Sequence, residues 1–145
     1  MELPAYITVD EVKRVCQVLK IRDWTALKEA KVLPEEAAVV LGELNQEGMP
    51  ITIERFVRGL EVELEHGIRF TDANVTNNHP ILTGKIVLAH FKETLDYYER
   101  LEVAELEGDL LKATVAGNAQ KIAALYKKLV AARLELSQAE TEQLP

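Results

Sequence analysis

Cysteine and serine each occur once in the 145 residues, at Cys16 and Ser137. A single cysteine excludes an intramolecular disulfide framework and a cysteine-rich zinc site. The single serine has no histidine near it in sequence, which argues against a serine hydrolase. No apolar run approaches the roughly 20 residues that span a bilayer. Glycine-rich phosphate loops, low-complexity stretches and internal repeats are all missing. The opening "MELPAYITVDE" shows no basic stretch leading into an apolar one, so a cytoplasmic location without membrane contact is expected. Basic residues are in the minority, and a net charge of −7 disfavours broad binding to a phosphate backbone. Nucleic acid is therefore not an expected partner.

What is present is helical pattern. Apolar residues make up 48% of the chain, enough for a core, and the length fits one domain, residues 1–145. Thr8 followed by Glu11 forms a capping-box pattern, with Val12, Val15, Cys16 and Leu19 on one stripe behind it. Asp23 can cap a short turn that holds Trp24. Pro34 opens a helix followed by acids, and Gly48 lies past its end. Thr52 opens another, whose apolar face is Ile53, Phe56, Val57, Leu60 and Leu64. Gly67 then reads as its terminator, and residues 68–79 as a long polar loop.

From Pro80 the apolar periodicity runs past Leu101 and falters near Gly108. On a helical wheel Val87, Leu88 and Phe91 share one face, while Leu82, Ile86, Ala89, His90, Glu93 and Tyr97 share another. Such a helix is expected to be central and covered on both flanks. After "AGN" comes a basic helix at about 118–142. In it Ile122, Leu125, Leu129, Ala132 and Leu136 follow a heptad seam. The seam reads first as a core face and second as a dimer interface. Acids dominate residues 93–109 and bases residues 110–134, so these last two helices should complement one another. The expected fold is all-α: about five helices in a compact bundle, the last two an antiparallel hairpin.

One polar constellation has chemical potential. Glu63 and His66 share the edge of one helix face, and His90 and Glu93 stand three apart on the next. Two carboxylates and two imidazoles converging between helices could hold a divalent metal such as Zn, Mn or Fe, or move protons. The competing expectation is structural hydrogen bonding, since a sheltered imidazole needs a polar partner. Tyr97, Asp96 and Lys85 are further candidates on the same stretch.

The segments "GLEVELEHG" (residues 59–67) and "NVTNNHPILTGKIVLAHFKETLDYYERLE" (residues 74–102) resemble a family of small prokaryotic and phage proteins known only as a domain of unknown function. The positions that carry the resemblance are Glu63, Glu65, His66 and Gly67 in the first segment. In the second they are Asn74, Thr76, Thr83, Gly84, Lys85, His90, Glu93, Asp96, Tyr97 and Tyr98. An acid stands more often in that family where this chain has His79. The motif-bearing core is about 52–107, and the resemblance implies no reaction, cofactor or partner. The expected function is accordingly that of a non-enzymatic helical protein, acting by self-association or by binding a protein partner. The alternative is a metal-binding or metal-dependent protein using the Glu/His cluster.

Overall fold

The computed structural model describes residues 6–145, and these contain helices and turns and no strand. Contacts along the chain divide it into two compact units, residues 1–92 and 93–145.

The first unit starts with α1 (Val9–Leu19), whose N-cap Thr8 accepts a hydrogen bond from the Glu11 amide at 3.2 Å. Its end is marked by Lys20 in the left-handed region, φ 57°. A short 3-10 turn (Trp24–Ala26) follows, capped by Asp23, which accepts from the Thr25 amide at 2.9 Å. α2 (Pro34–Leu44) begins on its proline, because a first-turn residue has no intrahelical use for an N–H. α3 (Ile53–Arg69) is capped by Thr52, which accepts from the Arg55 amide at 3.3 Å. A second 3-10 turn (Thr71–Ala73) leads to α4 (Pro80–Glu93). The core of this unit comprises Val12 and Cys16 of α1, Trp24, Val40 of α2, Phe56, Leu60 and Leu64 of α3, and Val87 and Phe91 of α4.

The second unit contains α5 (Tyr97–Val115) and α6 (Ala119–Gln143), packed closely along one another. Gly117, at φ 67°, supplies the left-handed residue of the turn between them. Asn118 caps α6 by accepting from the Lys121 amide at 2.9 Å. The heptad seam faces inward: Leu125, Leu129 and Ala132 are buried, with Ile122 and Leu136 half-buried beside them. One ion pair of the expected sense links the two helices, Arg133 of α6 to Glu107 of α5 at 2.7 Å; Arg100 of α5 to Glu140 of α6, also at 2.7 Å, runs in the opposite sense.

Three expectations are corrected. The periodicity from Pro80 belongs to two helices, since α4 stops at Glu93 and α5 starts at Tyr97. The break is stabilised by Asp96, fully buried, which accepts from the Thr94 hydroxyl and from Arg100 Nε and Nη2. Glycine is not a terminator at Gly67 or Gly108, because α3 runs on to Arg69 and α5 to Val115. α4 is not buried on both flanks: Ile86 is 37% exposed and Ala89 is exposed. Tyr98 is buried, at 2% exposure.

Candidate functional site

Glu63 projects from the third turn of α3 and His90 from the last turn of α4, and the structure brings them together. His90 Nε2 lies 3.4 Å from Glu63 Oε1, with the two side chains 25% and 16% exposed. That distance is longer than a tight charge-assisted hydrogen bond, which measures about 2.7–2.9 Å. His66 and Glu93 do not join in this shelter, and both are exposed. A catalytic zinc needs three protein ligands and a structural one four. Among the described residues no group of three or more His, Cys, Asp or Glu side chains is placed to hold a metal ion. The site therefore unites two of the four candidate ligands.

The remaining candidates separate by environment. Lys85 is exposed and borders a surface pocket with Asn45, Glu47, Met49, Leu88 and Lys92. Across that pocket Lys92 Nζ reaches Glu47 at 3.1 Å. Asp96 is the anchor of the helix break. Burial pushes its carboxyl up, but the Arg100 guanidinium and the Thr94 hydroxyl outweigh this and hold it below its ordinary value. Arg100 in turn bridges to Glu140 of α6. Tyr97, half-buried, meets Tyr98 edge-on at 5.2 Å between ring centroids. Cys16 is buried, and burial pushes its thiol up, away from the thiolate a nucleophile requires.

Sequence reasoning missed the cluster built by the asparagine-rich loop. Asn74 Nδ2 donates to the Gly67 carbonyl at 3.1 Å and to Asn78 Oδ1 at 2.9 Å. Asn78 Nδ2 reaches the Trp24 carbonyl at 3.3 Å, and Asn77 Nδ2 donates to the Ile7 carbonyl. Both Asn77 (φ 48°) and Asn78 (φ 62°) are left-handed. Adjacent asparagines, the non-glycine type that best tolerates this region, were the available signal. His79, buried, caps α4: its Nδ1 accepts from the amides of Ile81 at 3.2 Å and Leu82 at 3.4 Å. Residues of the sequence motif thus tie a loop to α3 and to the turn at Trp24.

The hairpin of the second unit presents a different kind of surface. On α5, Leu111 and Val115 are 65% and 82% exposed. On α6, Tyr126, Val130 and Leu134 are 57%, 51% and 60% exposed and recur every fourth residue.

A family model described as protein of unknown function, DUF5661, matches residues 12–107. The chain belongs to this family. The DUF5661 match takes in Glu63, His66, Lys85, His90, Glu93, Asp96 and Tyr97, together with the asparagine loop. It ends within α5, so α6 lies beyond the DUF5661 segment. No curated protein and no solved structure matches the chain. No helix among the described residues is long and apolar enough to cross a membrane.

Proposed function

We propose that this chain is a non-enzymatic helical protein that acts in the cytoplasm by associating with itself or with another protein. The observation that carries the proposal is the outer surface of the C-terminal hairpin. Tyr126, Val130 and Leu134 line one side of α6, each more than half exposed. The inner seam of the same helix is already satisfied against α5. A helix apolar on a second face has surface to bury, and contiguous exposed apolar patches mark interaction sites. Size-exclusion chromatography with light scattering, joined to a pull-down with the full chain as bait, tests this. A mass above the 16.3 kDa of one chain, or a specific partner lost on changing Val130 to Glu, is expected. A strict monomer that retains no partner overturns the proposal.

A second reading, a divalent metal such as zinc, manganese or iron held by Glu63, His66, His90 and Glu93, draws support from the Glu63–His90 approach. Elemental analysis of untagged protein tests it, and absence of stoichiometric metal removes it.

A further inference from the structure

The α5–α6 hairpin carries opposite charge at its two ends. Between Leu110 and Leu134 there are five bases, Lys112, Lys121, Lys127, Lys128 and Arg133, and no acid; the rest of the second unit holds ten acids and one base, Arg100. Helix stability does not call for this. Lys121 sits in the first turn of α6, where the helix dipole disfavours a cation, and no acid stands there. Two of the five bases are neutralised from outside the segment, Arg133 by Glu107 at 2.7 Å and Lys112 by Asp109 at 3.0 Å. Lys121, Lys127 and Lys128 are exposed and have no ion-pair partner among the described residues. A hairpin polarised along its length turns its basic end toward a negatively charged surface.

The same end is apolar at its tip. Leu111 and Val115 are 65% and 82% exposed and stand within about 9 Å of the turn at Gly117, at 1.5 Å per residue. From Leu110 to Gln120 the single charge is Lys112. The amides of the turn are satisfied internally: Ala116, Gly117 and Asn118 donate to the carbonyls of Lys112, Thr114 and Ala113, each at 3.0 Å. The Thr114 hydroxyl donates to the Leu110 carbonyl at 2.8 Å. A segment closed in this way can leave bulk water for the headgroup layer of a bilayer. The lysines also stand on different sides of the hairpin. Lys112 is on α5, Lys121 and Lys128 share one side of α6, and Lys127 lies about 100° round from them. A protein docked on one face would engage only some of them, whereas a membrane met end-on engages them all.

We propose that the turn end of this hairpin is a contact site for an anionic lipid surface, with Leu111 and Val115 entering the headgroup layer and Lys121, Lys127 and Lys128 lying against its negative groups. No membrane contact was expected from a sequence without a spanning segment, but a contact of this depth needs none. The proposal goes beyond the protein-association reading and does not rest on it. Binding of this kind is reversible and weakens with salt.

Co-sedimentation of the full chain with vesicles of phosphatidylcholine containing about 30% phosphatidylserine, against phosphatidylcholine alone, gives the test. At about 50 mM salt, binding to the anionic vesicles is expected to exceed binding to the neutral ones about ten-fold or more, and to fall steeply by about 500 mM. Lys127→Glu/Lys128→Glu should weaken it about 25-fold or more, at about five-fold per lysine. Leu111→Ser/Val115→Ser should weaken it about five-fold or more. Lys13→Glu/Lys28→Glu makes the same change of net charge at exposed lysines of the first unit and should leave binding as it is. All six positions are exposed, so each variant is expected to keep the wild-type helical circular dichroism. Equal binding to the two vesicles overturns the proposal. So does a loss in Lys13→Glu/Lys28→Glu as large as that in Lys127→Glu/Lys128→Glu, or binding indifferent to Leu111→Ser/Val115→Ser. Should vesicles fail to bind while a protein captured in the pull-down is lost in Lys127→Glu/Lys128→Glu, those lysines serve an acidic protein; the lipid site is then wrong and the association reading stands.

Discussion

His90 Nε2 stands 3.4 Å from Glu63 Oε1, linking α4 to α3 at a place where both side chains are three-quarters or more shielded from water. A pair of this kind contributes modestly, because partial shielding strengthens the attraction and raises the desolvation cost together. In a double-mutant cycle of Glu63→Ala and His90→Ala, a coupling of about 0.5–1 kcal/mol is expected. With two ligands brought together, zinc added in excess should leave the melting temperature of the wild-type chain unchanged. A zinc-dependent rise that disappears in His90→Ala would instead restore the metal reading.

The same substitution should act with opposite signs at two glycines. A Cβ on Gly67 would fall 2.6 Å from Asn78 Oδ1 and 2.8 Å from Asn74 Nδ2, the side chains that tie the loop to α3. Those amides are held by their own hydrogen bonds and cannot withdraw without losing them. Gly67→Ala is therefore expected to cost about 1–3 kcal/mol despite alanine's better helix propensity. A Cβ on Gly108 meets nothing within 4 Å, and the residue sits inside α5. Gly108→Ala should stabilise by about 0.5–1 kcal/mol. Urea denaturation of both variants checks the pair, and equal signs would contradict the packing described.

These two glycines also show what could be read along the chain. Helix starts at Thr8, Pro34, Thr52 and Asn118 were legible because a cap is a local event, decided by residues within one turn. The inner seam of α6 was legible because periodicity records which face is dry. Gly67 was misread as an end because its purpose is space for Asn74 and Asn78, several residues on in the chain. The break before Tyr97 was hidden because apolar spacing continues across it. What stops α4 is a buried carboxylate, Asp96, satisfied by Arg100 and Thr94. Of the metal candidates, the wheel grouped Glu63 with His66 and His90 with Glu93, each pair on one helix; it could not say that Glu63 and His90 meet while His66 and Glu93 are left in solvent.

Arg22 and Glu36 make a larger ion pair whose two halves should respond unequally. The Glu36 side chain is 4% exposed, whereas Arg22 is 42% exposed. Glu36 accepts from Arg22 Nε at 2.8 Å and Nη2 at 2.7 Å, and from the amides of Arg22 at 3.0 Å and Leu33 at 3.1 Å. Burial pushes its carboxyl up, but these donors outweigh it and hold the group below the ordinary carboxylate value. Arg22→Ala leaves a buried carboxylate without its counter-charge and is expected to cost about 3–5 kcal/mol. Glu36→Gln leaves a guanidinium that can turn to water, and should cost about 1–3 kcal/mol. Chemical denaturation that ranks Glu36→Gln as the worse variant would refute this ordering.

His79 gives the fold a pH dependence whose sign follows from its burial. Removal from water lowers the imidazole below its ordinary value, and the Nδ1 that caps α4 must be unprotonated to accept from Ile81 and Leu82. The unfolded chain, with an ordinary value of about 6.5, therefore binds more protons than the folded one just below that pH. Stability then rises with pH across this window. The cap is fully in place above about pH 6.5, and its contribution is lost as the pH falls through the lowered folded value. The carboxyls of Glu36 and Asp96, held below their ordinary values, remain charged between pH 5 and 7 and stay silent there. His79→Asn keeps a capping acceptor and removes the titration. Thermal melts between pH 7 and 5 should show the wild type losing stability more steeply than His79→Asn. The slopes can differ by up to about 1.4 kcal/mol per pH unit, and parallel curves would show that the imidazole at the head of α4 does not govern the acid response.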